Sequence, residues 1–242
     1  MRKGGVKVQS KTLHVEILEC LLVILIIGQL SKAVSWILSP LTNWLLAWLP
    51  SGAAAINHLL LGELIQCGVI FFLIWFFWRY CHHHSWRELG LVKSPTDHWL
   101  AWGLGHGLLL FAMMFMASML LNTLLPHGLP PQNVAAVIAT AATPWEKLVP
   151  LVVTGLLAPI SEEMLFRGFI YQSLRCKFTT SISVLLTAAI FGCMHFDPIR
   201  VVPLMLGGIW LNLLYVRTES LYVPMVAHSV WNLLMTAMIY WT

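Results

Sequence analysis

The chain has 242 residues, of which 59% are hydrophobic and 10% charged, with a formal net charge of +4. Soluble domains carry roughly 25% charged residues, so this composition excludes an ordinary globular protein and predicts an all-α, polytopic transmembrane helical bundle. The small basic excess does not indicate a nucleic-acid partner, because the basic residues fall where membrane topology puts them.

Apolar blocks long enough to cross a bilayer, about 17 residues or more, predict seven spans, with six to eight as the range. They lie near 13–38, 54–78, 99–121, 145–171, 180–196, 199–216 and 221–241, the fifth and sixth being short. The first block is longer than the core of a cleavable signal, about 7–15 residues, and ends in no small-residue cleavage motif, so it is expected to stay as a helix. The segment 41–49, with Trp44 and Trp48, is expected as an interfacial piece or an extension of the first hairpin. Residues 1–242 are read as a single integral membrane domain, with the site-bearing helices in 145–241. Arg2, Lys3, Lys7 and Lys11 precede the first span, while Arg79, Arg87, Lys93, Arg175, Lys177 and Arg217 lie in alternate loops. By the positive-inside rule the N-terminus is cytoplasmic and, with seven spans, the C-terminus is outside. The expected setting is a bacterial inner membrane. The five cysteines form no C-x-x-C pair and read as small apolar fillers, not a disulfide framework.

The loop 79–98 carries His82, His83 and His84, which read as part of a polar interfacial loop because no second ligand cluster accompanies them. The loop 122–144, with Pro126, Pro130 and Pro131, either covers a cavity mouth or simply joins two helices. Thr143-Pro144-Trp145-Glu146 has the cap, the N1 proline and the N3 glutamate of a good helix start. Asp197-Pro198 is expected to do the same for the sixth span, which makes Asp197 a cap and not a catalytic acid. Pro159 lies three residues before Glu162 and is expected to kink the fourth span, freeing a carbonyl near the carboxylates.

Ionisable groups within a bilayer are costly and mark function. Glu162 and Glu163 are adjacent in the fourth span, and Arg167 follows. At about 100° per residue, Glu163 and Arg167 share a face and can pair. Glu162 points roughly 100° from Glu163 and about 140° from Arg167, so it is left facing another group. His195 closes the fifth span, and His228 and Asn232 lie four apart on one face of the seventh. Imidazole and carboxamide can hold an oxyanion, or the pair can glue helices together. Counted at about 1.5 Å per residue from the inner helix ends, Glu162 lies roughly 15 Å deep, His228 about 12 Å and His195 about 24 Å. The three therefore align only if the fifth helix is tilted or starts later. Glu63, Gln66 and His106 could line the same cavity but read first as packing or interfacial residues. Gly207, Gly208 and Pro203 suit close helix approach, and Pro224 suits a bend before His228.

Taken together, Glu162-Glu163-x-x-x-Arg167, Phe191-x-x-x-His195 and His228-x-x-x-Asn232, in order on three spans, resemble the three motifs of the CAAX protease and bacteriocin-processing (CPBP) family. The resemblance covers about residues 145–240, and more loosely Trp86-Arg87-Glu88-Leu89-Gly90-Leu91. It implies an active site within the membrane on the fourth, fifth and seventh helices. There Glu162 and His195 would activate water, His228 and Asn232 would hold the oxyanion, and Glu163 and Arg167 would organise the site. It implies an intramembrane endopeptidase acting near the C-terminus of a membrane-anchored or lipidated protein or peptide within the lipid bilayer. Glu162, His195 and His228 are the residues for zinc if the enzyme is metal-dependent. The absence of H-E-x-x-H and of any short ligand spacing favours no cofactor and a glutamate-driven reaction. Two other readings remain open from the sequence. One is a non-catalytic peptide-binding immunity protein; the other is a proton-coupled transporter, against which the lack of an internal repeat counts.

Overall fold

A computed structural model describes residues 13–48, 54–94, 97–127, 130 and 132–241. Arg2, Lys3, Lys7, Lys11 and Pro131 lie outside the described residues. The described residues form helices joined by turns, with no strand. We number them α1 (Leu13–Leu46), α2 (Ala54–Cys81), α3 (Trp99–Leu124), α4 (Asn133–Ile138), α5 (Pro144–Arg175), α6 (Thr180–Met194), α7 (Val201–Thr218) and α8 (Tyr222–Ile239). Six of these are long and apolar enough to cross a membrane. The protein is therefore a multi-pass membrane protein, as the composition predicts.

Contacts between helix ends sort the chain into two faces. Glu19 near the start of α1 meets His82 just after α2. Trp99 at the start of α3 packs on Tyr222 at the start of α8, and Arg217 at the end of α7 lies over Trp102. On the opposite face Trp145 bonds Asn57 near the start of α2, and Tyr240 donates to the carbonyl of Lys147. The described helices thus pass seven times between the faces, counting α6. That helix is only 15 residues long, about 22 Å against a hydrocarbon core of about 30 Å. α1 runs unbroken through Pro40 to Leu46, so most of the segment 41–49 extends the helix and is not a separate interfacial piece.

Small residues bring the helices close. A Cβ at Gly103 would lie 2.7 Å from Val226, and one at Gly107 would lie 2.5 Å from Val230 and 2.8 Å from the Ala227 carbonyl oxygen. These two glycines, four apart, let α3 seat on α8 as a small-x-x-x-small stripe does. Gly155 does the same between α5 and Leu233 of α8, and Gly192 and Gly208 between α6 and α7. α5 and α7 are the innermost long elements, while Leu25 and Trp36 of α1 and Leu108 and Met116 of α3 present large apolar side chains outward.

The loop after α2 is less of a surface loop than the sequence suggests. Leu89 is fully buried and Gly90 takes φ +102° with Tyr215 packed against it. Tyr215 donates to the Leu89 carbonyl, and the backbone N–H of Leu221 donates to the Gly90 carbonyl at 2.8 Å. Residues 86–91 therefore cap the face where α7 turns into α8. Within the loop, the backbone N–H of Ser85 holds the Glu88 carboxyl below the usual range against the pull of burial, helped by the Ser85 hydroxyl and His84.

Candidate active site

The site is built on α5, whose sequence starts and breaks it deliberately. Thr143 and Glu146 form a reciprocal capping box with Pro144 at the first helical position, as the sequence predicts. Two wide turns with i→i+5 bonding follow, at Val153–Leu157 and Met164–Ile170. In the first, the Ala158 N–H donates to the Val153 carbonyl. The next bond in that register would run from residue 159 to the Thr154 carbonyl, and Pro159 has no N–H to give. Asn232 of α8 supplies the missing donor: its Nδ2 bonds the Thr154 carbonyl at 3.0 Å. The freed carbonyl expected from Pro159 is thus present and tied to the last helix.

Between the two wide turns sit the carboxylates. Glu163 and Arg167 are both fully buried and pair at 2.9 Å. The second Arg167 amine donates to the Gly208 carbonyl at 3.1 Å, so the guanidinium spans α5 and α7. Its carbon lies 4.9 Å from the centre of the Phe191 ring on α6, within cation–π range. The same Glu163 oxygen that meets Arg167 also accepts from Nδ1 of His228 at 2.8 Å. Because that carboxylate oxygen accepts, Nδ1 carries the proton and Nε2 of a neutral His228 presents a lone pair. Nε2 lies 3.8 Å from Oε2 of Glu162, an oxygen that is buried and makes no hydrogen bond. Trp231 stacks on the His228 ring at 5.1 Å and fixes its plane.

His195 stands just past the end of α6 and doubles back. Its Nδ1 donates to the Phe191 carbonyl at 2.7 Å, leaving Nε2 as the free nitrogen. Its ring lies 4.7 Å from that of Phe191, which in turn is 6.0 Å from that of His228. Phe191, one turn short of His195, therefore links the two imidazoles. The structure brings Glu162, Glu163, Arg167 and His228 into one cluster with His195 at its edge. Asn232 is one turn beyond His228, with one amide N–H engaged on Thr154.

Asp197, two residues after His195, caps the turn at 198–200 that leads into α7, and not the helix directly. It accepts from the backbone N–H groups of Ile199 and Arg200 and pairs with the Arg200 side chain at 2.7 Å, while α7 begins only at Val201. Arg200 also donates to the Pro130 carbonyl, and Gln132 to Asp197. Burial pulls the Asp197 carboxyl up, but the hydrogen bonds and charge of Arg200, with Gln132, win and hold it below the usual range.

α2 contributes what the sequence undervalued. Cys67 is not a mere filler: its thiol lies 3.4 Å from both Oε1 of Glu63 and Oγ of Ser161. Glu63 thereby reaches the α5 turn that bears Glu162. The available signal was a glutamate within an apolar span. Gln66 points outward, and His106 lies apart between Trp102 and Trp210.

Among the described residues no three His, Cys, Asp or Glu side chains converge as metal ligands. His228 has one nitrogen committed to Glu163 and the other facing Glu162.

Residues 144–234 match the family described as type II CAAX prenyl endopeptidase Rce1-like. The matched stretch contains every residue of the cluster on α5, α6 and α8 and covers less than half of the chain. A curated relative from Bacillus subtilis (strain 168), named "Putative membrane peptidase YdiL", is 33% identical over 82 residues. That match covers 34% of this chain and 34% of the relative, so the chain spans about a third of the relative's length in the comparison. No solved structure matches the chain.

Proposed function

We propose that the protein is an intramembrane endopeptidase of the CAAX type that cuts near the C-terminus of a membrane-anchored or lipidated protein or peptide. The observation that carries this reading is the chain Arg167–Glu163–His228 facing the unbonded oxygen of Glu162. A cation-neutralised carboxylate that fixes a histidine tautomer, with a second carboxylate left free, is an arrangement for moving a proton.

In the reaction we infer, one water oxygen sits within hydrogen-bond reach of both Glu162 Oε2 and His228 Nε2, atoms that are 3.8 Å apart. Glu162 takes the proton as the water oxygen bonds to the scissile carbonyl carbon. The resulting oxyanion is held by N–H donors, for which the second amide hydrogen of Asn232 is the nearest candidate on α8. The C–N bond then breaks, and the proton held on Glu162 passes to the departing amine. Glu163 and Arg167 touch no substrate and act as positioning residues. His195, with Nε2 free at the cluster's edge, assists in orienting the water. The donor set supports a glutamate-driven reaction, and no step is assigned to a metal. The loop charges support an N-terminus on the cytoplasmic side of a bacterial inner membrane, with Arg79, Arg87, Lys93, Arg175, Lys177 and Arg217 on one face.

The test compares C-terminal peptides of membrane proteins from cells expressing wild type or Glu162→Gln at equal abundance. A small set of proteins that keep their tails only with the variant is the expected result and identifies the substrates. An unchanged set of tails overturns the reading.

A further inference from the structure

Three polar residues of α8 recur at every fourth position, His228, Asn232 and Thr236, and so form one stripe along the helix. All three reach α5. His228 meets Glu163, and Asn232 donates to the Thr154 carbonyl at 3.0 Å. Thr236 is buried, and its hydroxyl lies 2.7 Å from that of Thr154. It stands two residues beyond the stretch that matches the endopeptidase family. The Thr154 hydroxyl also donates to the Pro150 carbonyl at 2.8 Å, and a carbonyl has no proton to return. Thr154 has a single hydroxyl hydrogen, so the proton between the two hydroxyls comes from Thr236. α8 therefore grips one residue of α5 at two points: Asn232 holds its carbonyl and Thr236 its side chain.

Thr154 lies in the wide turn Val153–Leu157, where the helix leaves its carbonyl to an outside donor. Beside it Gly155 lets Leu233 press against the α5 backbone, so the two helices meet closely at this point. A carboxamide turns freely about its last side-chain bond. One hydrogen bond to a carbonyl aims its other N–H only as well as that carbonyl is itself held. A wide turn next to a proline holds its backbone less firmly than an unbroken helix does. The bonds from Thr154 to Pro150 and from Thr236 to Thr154 tie the residue from its own helix and from α8.

We propose that Thr236 is a positioning residue for the hydrolysis: through the Thr154 hydroxyl it fixes the carbonyl that Asn232 grips, and so aims the second amide hydrogen of Asn232 at the oxyanion. This rests on the endopeptidase reading of the same site. The role needs a hydroxyl donor and not a particular shape. Valine at position 236 keeps the branched shape without the donor, whereas serine keeps the donor on a smaller side chain.

The experiment follows the rate of tail loss after induction in cells at matched membrane abundance, with the whole set of membrane-protein C-terminal peptides as the probe. The cells express wild type, Glu162→Gln, Asn232→Ala, Thr236→Val, Thr236→Ser, or Thr236→Val together with Asn232→Ala. Thr236→Val is expected to slow tail loss about fivefold, the worth of one neutral hydrogen bond. Thr236→Ser should recover at least half of that loss on a logarithmic scale. Asn232→Ala should slow tail loss about a hundredfold, as removal of an oxyanion donor does. The double variant should match Asn232→Ala within twofold, because with the amide gone there is nothing left for Thr236 to aim. If Thr236→Val cleaves at the wild-type rate while Glu162→Gln is inactive, the Thr236 proposal alone is overturned. A double variant slower than Asn232→Ala by the full factor of Thr236→Val overturns it too, since Thr236 then acts as a general brace. So does wild-type cleavage by Asn232→Ala. Tail loss that survives Glu162→Gln sinks the endopeptidase reading and this proposal with it. Should Thr236→Val fail to accumulate, Thr154→Val, which removes the other hydroxyl, takes its place under the same criteria. Should Asn232→Ala be too slow to follow, Thr236→Ser decides: it must cleave at least twofold faster than Thr236→Val.

Discussion

The buried ion pair at the centre of the site makes a quantitative prediction about stability. Arg167→Met removes the cation and leaves Glu163 fully buried with only His228 as a donor. Breaking a buried pair by removing one partner costs about 3–5 kcal/mol, because the remaining charge has no compensation. Arg167 also holds the Gly208 carbonyl, so the same substitution unties α5 from α7. Arg167→Lys isolates that second contribution. A single ammonium keeps the charge but does not reproduce the fork that reaches both Glu163 and Gly208. Losing one hydrogen bond to a charged group costs about 1.5–3 kcal/mol. The double variant Glu163→Gln with Arg167→Met removes both charges and should be more stable than Arg167→Met alone by about 2 kcal/mol, since a pair replaced as a unit is far less costly than a pair broken. The assay is reversible unfolding in mixed micelles, titrated with a denaturing detergent and followed by tryptophan fluorescence. A loss below about 1 kcal/mol for Arg167→Met, or a double variant no better than the single, would refute the argument that this pair is desolvated and neutralises the site.

Three further outcomes are expected. Gly107→Ala puts a methyl 2.8 Å from the Ala227 carbonyl oxygen, which has little freedom to move, and should cost about 1–3 kcal/mol. Gly155→Ala meets only the flexible end of Leu233 and should be rescued by Leu233→Ala, as the same unfolding assay can show. For Asp197, a carboxyl held low in the fold adds stability that is present above its unfolded value, about 3.9, and is lost as pH falls through the lower folded value. A spin label on exposed Cys193, with Cys81 replaced by alanine, should therefore report the same mobility from pH 8 to pH 5. Asp197→Asn should loosen the turn at neutral pH, and an unchanged spectrum there would show that Asp197 does not hold it.

The bundle was legible because bilayer crossing imposes a length and composition on each helix. The ion pair was legible too, since i,i+4 spacing alone puts Glu163 and Arg167 on one face. Other features depended on tertiary geometry that spacing does not encode. His228 is four residues from Asn232, and both were read as oxyanion donors or as glue between helices. In the fold, Nδ1 of His228 serves Glu163, and one Asn232 N–H serves Thr154. His195 counted too deep for the cluster, yet its ring turns back along α6 to the Phe191 carbonyl. The glycines at 103 and 107 carry a spacing that could have been read directly, and they set the α3–α8 seam. Glu63 was discounted because one sequence cannot show that α2 lies against the α5 turn bearing the carboxylates.

The two wide turns in α5 explain why the carboxylates stay where they are. An unbroken α-helix satisfies its own backbone and offers a neighbour only side chains. A wide turn next to a proline leaves carbonyls to be met from outside, and in a membrane each unmet one is costly. Thr154 is met by Asn232 from α8, and Leu157 by the Cys67 thiol from α2. The carbonyl freed at Thr154 is met by α8, and the Cys67 contact at Leu157 brings α2 to the same stretch of α5 that precedes Glu162. The helices that close on the broken backbone are the ones that bring His228 to the carboxylates and Cys67 to Ser161 beside them. The irregularity of α5 is thus a means of assembly as well as a feature of the site: the polar backbone it exposes selects the neighbours that complete the cluster.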